Sequence, residues 1–250
     1  MTKEKYIWVV DYGLGNLRSV SKALEKVGAS VRVGSEPKLL KEAAAVVLPG
    51  VGAFDAAVRN LKAAGLFQPL LEYLKENRLF LGICLGFQLL FTGSEEGKEA
   101  GFGIIEGKNL RFPDTVKVPQ IGWNKVTYTR HNPIFEGIPE GSHFYFVHSY
   151  YGKDEKTEIG RAEYGVDFTA ALQKGNIFAT QFHPEKSGET GLKLLSNFVK
   201  YITPTCLANN ASVTRLTFSA GAPHGAPYSS HRQCRTGALP RQGGGVKKLW

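Results

Sequence analysis

Apolar residues along the chain follow two periods. Residues 6–10 (YIWVV) form a short apolar run that stops at Asp11, the pattern of a strand buried on both faces. Leu17, Val20, Leu24 and Val27 then recur at helical spacing, and Gly28 ends that helix. Residues 30–33 and 45–48 read as further strands, the second running into Pro49-Gly50. Helices are expected over about 53–63 and 67–75, a strand over 79–82 and a helix over 85–91. Strands that alternate with helices predict an α/β fold: an open, mostly parallel sheet with helices on both faces. From about Asn109 the pattern turns β-rich, with strands expected over 109–112, 125–129, 143–150, 168–173 and 177–180. A last helix buries Leu192, Leu195, Phe198, Val199 and Ile202. Residues 1–203 are therefore read as one domain with a β-rich second half.

The remaining segment, 204–250, keeps neither period. It holds four prolines, six glycines and many Ser, Thr and Asn, and is expected to be a disordered or non-native basic tail, because it cannot bury enough surface to offset its ordering entropy. A basic arm that binds a partner is the rival reading. This tail changes the meaning of the net charge of +9. It contains six Lys/Arg and no Asp or Glu, so residues 1–203 carry 25 basic against 22 acidic residues and are nearly balanced. No nucleic-acid partner is expected. No apolar run approaches the roughly 20 residues that span a bilayer, so no membrane partner is expected either. Three scattered cysteines (Cys84, Cys206, Cys234) suit neither a disulfide framework nor a metal site, and with no export signal they suggest the cytoplasm.

One of those cysteines is framed. In "GICLG", Cys84 stands between Gly82 and Gly86 where a strand meets a helix, the arrangement of a nucleophile elbow. Such a corner projects the sulfur above the C-terminal edge of the sheet, beside helix N–H groups that favour a thiolate and can hold an oxyanion. A buried, inert cysteine is the alternative. A thiol nucleophile needs a base and a group to orient it. Of the four histidines in residues 1–203, His131 lies in a turn-rich loop, His143 reads as a structural residue in an apolar strand, and His148 is a strand-end candidate for lining a site. His183 in "QFHPEKS" is the distinctive one, because Pro184 biases it to extended backbone and Glu185 can turn back to its ring. "LPGVGAF" places flexible glycines after a strand, which suits either an ordinary turn or a peptide that aims an N–H at a site. Gln88, one turn beyond Cys84, either binds a ligand or caps buried backbone.

Together, "GICLGFQLL" and "QFHPEKS", whose His183 lies 99 residues after Cys84, resemble the class I (triad) glutamine amidotransferases. "VVDYGLGNLRSV", "LPGVGAF", "PQIGWNKV" and "YFVHSYY" sharpen the likeness to the glutaminase subunits of imidazole glycerol phosphate synthase, and "GWN" argues against the related subunits of pyridoxal phosphate synthase. The resemblance spans about residues 5–202; Phe87 departs from a more usual methionine. It implies a flavodoxin-like fold and a triad of Cys84, His183 and Glu185. It implies oxyanion donors around Gly50, Val51, Gly52 and Leu85, and substrate contacts from Gln88, His148, Ser149 and Tyr150. It implies a partner interface that includes Asn16, Trp123, Tyr145 and Lys186, with a (β/α)8-barrel cyclase subunit as partner and L-glutamine as substrate. No metal or organic cofactor is expected. A stand-alone cysteine hydrolase and a non-catalytic interaction module are the rivals from other classes.

Overall fold

The computed structural model describes residues 5–202, and the expected tail at 204–250 lies outside them. The strands are β1 (Ile7–Val10), β2 (Val31–Gly34), β3 (Ala45–Gly50), β4 (Phe80–Cys84), β5 (Phe91–Ser94), β6 (Ile105–Arg111) and β7 (Gln120–Lys125). They continue with β8 (Thr127–Tyr128), β9 (His143–His148), β10 (Tyr150–Tyr151), β11 (Glu158–Glu163), β12 (Asp167–Lys174) and β13 (Ile177–Thr180). The helices are α1 (Leu17–Lys26), α2 (Leu39–Glu42), α3 (Phe54–Ala63), α4 (Phe67–Lys75), α5 (Leu85–Gln88) and α6 (Gly188–Lys200).

Eight strands form the main sheet in the order β2-β1-β3-β4-β13-β12-β11-β8. Pairing is parallel from β2 to β13 and antiparallel beyond it. The inner parallel strands β1, β3, β4 and β13 are largely apolar at consecutive positions because both of their faces are covered, whereas the edge strand β2 is partly exposed. Ile7, Val9, Val47, Leu81 and Ile83 pack with α1 and α6 on one face. Trp8, Val10, Val46, Leu48 and Phe80 pack with α3 and α4 on the other. Burying both faces leaves the strand ends as the place for chemistry. Gly50 pairs with Cys84, and Thr180 pairs with Ile83, so β3, β4 and β13 end side by side on one edge. Open α/β sheets place their sites at that edge.

Several expected elements differ in extent. The helix expected over 85–91 ends at Gln88, and Phe91 already belongs to β5, which pairs in parallel with β6. Leu85, Phe87 and Phe91 imitate a helical stripe because all are buried on one side, and the tertiary pairing decides the matter. The strand expected over 143–150 divides at Ser149: β9 pairs with β7, and β10 pairs with β6. The strand expected over 125–129 is likewise the end of β7 and the short β8, separated by the buried Val126. The strand β11 escaped sequence reading because charge hides its pattern. Glu158 is buried there only by virtue of ion-paired hydrogen bonds from Arg161 at 2.8 Å and a bond from the Thr169 hydroxyl at 2.8 Å. His143, read as a structural residue in an apolar strand, is exposed at the start of β9. His131 is exposed in its loop, as the turn residues around it suggest.

Candidate active site

Cys84 closes β4 and opens α5 with φ 53° and ψ −101°, a left-handed conformation that a residue with a Cβ rarely adopts. The two flanking glycines make the corner possible. A Cβ on Gly82 would lie 2.6 Å from the Gly86 carbonyl oxygen, and one on Gly86 would overlap the Leu48 carbonyl of β3. The strained corner puts the sulfur at the sheet edge, in the wall of a cavity of about 380 Å³. The Gln181 side-chain amide approaches the sulfur at 3.6 Å, and the Val147 carbonyl lies 3.9 Å away.

Beyond β13 the chain passes through Gln181 and Phe182 to His183. Its Nδ1 lies 2.8 Å from Glu185 Oε1, and both side chains are almost wholly buried. The bend that carries them is pinned from several sides. The His183 N–H donates to the Tyr145 carbonyl at 2.9 Å, and the Ser187 hydroxyl donates to the His183 carbonyl at 2.6 Å while accepting the Tyr145 N–H at 3.0 Å. With Nδ1 facing a carboxylate, Nε2 is the nitrogen left for chemistry; it is buried and, among the described residues, no partner meets it in hydrogen-bond geometry. Burial opposes protonation of this ring, but the Cys84 sulfur and the Glu185 carboxylate outweigh it and hold its pKa above the ordinary histidine value.

Expected contact residues converge on the same cavity. Val51, Gly52, Leu85, Gln88, His148, Ser149 and Tyr150 all line it with Cys84. Gly50, one residue earlier, ends β3 against Tyr12 and Leu85 and stands behind the wall. Gln88 does what its alternative reading proposed: its amide donates to the Tyr150 carbonyl at 2.9 Å and to the Gln181 side chain at 3.1 Å, bracing the wall. Three lining residues were not singled out from sequence: Glu96, Pro119 and Val147. Gln181 was also missed, although it stands inside the quoted "QFHPEKS". Of the four expected interface residues, Trp123 and Tyr145 are cross-strand partners on the outer face of the two-stranded β7–β9 sheet, with ring centroids 6.2 Å apart. Lys186 joins them, its Nζ 5.8 Å from the Tyr145 ring, and it also lines the cavity. Asn16 precedes α1 half-buried, outside the cavity wall.

His148 is held by an aromatic nest of Phe112, Phe146 and Phe168. Its Nδ1 lies 2.8 Å from the Tyr150 carbonyl, so Nδ1 carries the proton. Burial drives its pKa down to about 4, against the Tyr150 hydrogen bond and with help from nearby His183. The folded ring thus refuses a proton that the unfolded chain takes up near pH 6.5. His148 therefore costs stability progressively as pH falls from about 6.5 to 4, about 3 kcal/mol in all. His183 works in the opposite sense: its raised pKa stabilises the fold below pH 6.5, and that contribution is lost as pH rises through the folded value. His148→Phe fits the aromatic nest and should flatten the fall in urea midpoint between pH 6.5 and 4. An unchanged slope would mean that protons reach His148 in the fold.

An open α/β sheet whose C-terminal edge carries a buried Cys–His–Glu set beside a cavity suits thiol-dependent acyl transfer. The comparisons with known proteins narrow this class. The family model described as glutamine amidotransferase class-I matches residues 8–202. The imidazole glycerol phosphate synthase subunit HisH of Geobacter sulfurreducens is 49% identical over 208 residues, covering 79% of this chain and 98% of the relative. Its namesake from Syntrophotalea carbinolica is 48% identical over 202 residues, covering 77% and 98%. The chain belongs to the class-I glutamine amidotransferases, in their HisH branch. Solved structures share the fold: PurLQS from Thermotoga maritima (TM-score 0.63, 21% identity, 80% of this chain and 99% of that one) and a putative GMP synthase subunit from Thermoplasma acidophilum (TM-score 0.60, 21%, 81% and 96%).

Proposed function

We propose that the chain hydrolyses the side-chain amide of L-glutamine at Cys84 and delivers the ammonia to a (β/α)8-barrel cyclase subunit. That partner would use it to convert PRFAR into imidazole glycerol phosphate and AICAR in histidine biosynthesis. The observation that carries the reading is the buried His183–Glu185 pair, with His183 interacting with Cys84, whose sulfur lies in the cavity wall with Gln88, Ser149 and Tyr150. The HisH relatives support the particular pathway.

Cys84 gives its proton to His183 and attacks the amide carbon, forming a tetrahedral oxyanion. Backbone N–H groups at Val51 and Leu85 hold that charge. Each such donor is typically worth about 3 kcal/mol of transition-state stabilisation. Glu185 keeps the imidazolium oriented by accepting from Nδ1. His183 then protonates the departing nitrogen, which leaves as ammonia, and a thioester remains on Cys84. Water, deprotonated by His183, attacks the thioester and releases glutamate with the thiol regenerated.

The outer face of the β7–β9 sheet is where the partner docks. Ile121 and Trp123 are 62% and 57% exposed there, and large apolar side chains left in water mark an interface. Lys186 and Val147 belong to the cavity wall and to the β7–β9 sheet or its surroundings alike, so ammonia is released beside the partner. Asn16, at the same sheet edge, is assigned to the rim. Ammonia release from glutamine should be weak for the chain alone and strongly raised by the cyclase with its nucleotide. Trp123→Ala should weaken that complex by about 2 kcal/mol, or roughly thirtyfold in Kd by calorimetry. Equal turnover with and without the cyclase would favour a stand-alone hydrolase.

A further inference from the structure

The segment that aims the proposed oxyanion donor is short and is gripped at both ends. Its near end is Gly50, fixed by the β3–β4 ladder opposite Cys84. Three residues follow, Val51, Gly52 with φ +107°, and Ala53, before α3 begins at Phe54. Ala53 occupies the N-cap position of α3 and offers no side-chain acceptor for the first helical N–H groups. The acceptor comes from elsewhere: Glu96 Oε2 takes the Phe54 N–H at 2.8 Å. The favour is returned one residue on. The Asp55 carboxylate accepts the N–H groups of Lys98 at 3.0 Å and Glu99 at 2.9 Å. The Glu96 N–H donates to Ser94 Oγ at 3.1 Å, and Lys62 bridges to Glu99 at 2.6 Å. Two carboxylates thus clasp the first turn of α3 to the loop at residues 94–99. A carboxylate also suits the positive end of a helix dipole. Glu96 stands at the same time in the cavity wall, beside Val51 and Gly52.

We propose that Glu96 is a positioning residue for the oxyanion segment, its carboxylate fixing the far anchor at Phe54 so that residues 51–53 rotate only between two held ends. The inference rests on the role given above to Val51. With both ends held, the Val51 peptide can turn in place but α3 cannot drift. Loss of the far anchor lets the whole bridge move, and the donor no longer meets the oxyanion. Because the clasp acts on the transition state, its loss should appear in kcat. Asp55 is the informative control, since it serves the clasp from outside the cavity wall.

The test uses the complex with the cyclase and its nucleotide, comparing wild type, Glu96→Ala, Glu96→Gln and Asp55→Ala. Glutamine hydrolysis gives kcat and KM, and iodoacetamide alkylation of Cys84 reports thiol reactivity, which needs no oxyanion donor. Glu96→Ala should lower kcat at least tenfold. Glu96→Gln, whose amide oxygen still accepts the Phe54 N–H, should restore kcat to within threefold of wild type. Asp55→Ala should lower kcat at least threefold with KM unchanged, and alkylation rates should stay within twofold throughout. The proposal is overturned if Glu96→Ala and Asp55→Ala change only KM, or if Glu96→Gln falls as far as Glu96→Ala. Should Glu96→Ala fail to fold, the Gln and Asp55 variants carry the same decision. A wild-type complex that alkylates at Cys84 but does not hydrolyse glutamine would instead refute the functional reading beneath it.

Discussion

Cys84→Ala is expected to abolish ammonia release from glutamine, by about 10⁴-fold or more, while the partner's cyclase chemistry continues when ammonium salt is supplied. The size of the effect follows from covalent catalysis. Without the sulfur there is no thioester, and neither Gln88 nor the N–H groups of the cavity wall can supply a nucleophile. The change is also small in structural terms: only a sulfur is lost, and with it the contacts to His183 and to the Gln181 amide at 3.6 Å. Thermal stability should therefore hold while hydrolysis disappears, and the complex should still form through Trp123 and Tyr145. The assay is ammonia release from glutamine beside cyclase turnover in ammonium salt. Residual hydrolysis within a hundredfold of wild type would mean that the attacking group is not Cys84.

Gly86→Ala is expected to be the most damaging single methyl group in the sheet region. Its Cβ would fall onto the carbonyl oxygen of Leu48, whose own backbone is held in the ladder between β3 and β4. A flexible side chain could swing aside, but a laddered carbonyl cannot, so the strands must part or α5 must shift. Overpacking of this kind against backbone should cost about 3 kcal/mol or more, lowering Tm by roughly 6–12 °C for a domain of this size. Gly82→Ala meets the Gly86 carbonyl at 2.6 Å, and α5 is short enough to yield, so a smaller loss is expected. Melting curves of the two variants decide it. A Gly86→Ala protein that melts within 2 °C of wild type would contradict the packing of the corner.

Much of the α/β half was legible because its signals are local. Strands such as β1 and β3, covered on both faces, are apolar at every position, and α1 and α3 show helical stripes closed by glycine or capped by a turn. The second half was less legible because its strands take their partners from different sheets. Ser149 interrupts an apolar run that looks continuous, yet β9 and β10 belong to separate sheets. Charge concealed β11, whose buried Glu158 is tolerated only with Arg161 and Thr169 in place. At the site, Cys84 with its two glycines and His183 with Glu185 were visible in sequence because each motif is itself a geometric instruction. Glu96 and Gln181 were not, since their part comes from what they meet across the cavity.

No helix among the described residues is long and apolar enough to cross a membrane. By itself the chain's sequence determined the class of fold, the strained cysteine corner, the histidine–carboxylate pair and the family to which they belong, because local steric and hydrophobic rules act over a few residues. Only the tertiary structure decided that Gly50, Cys84 and the end of β13 share one sheet edge, that Gln88 braces Tyr150 and Gln181, and that Glu96 caps a helix from another segment. Those contacts join residues far apart in the chain. They are selected by the pairing and packing of whole elements, which no local pattern encodes.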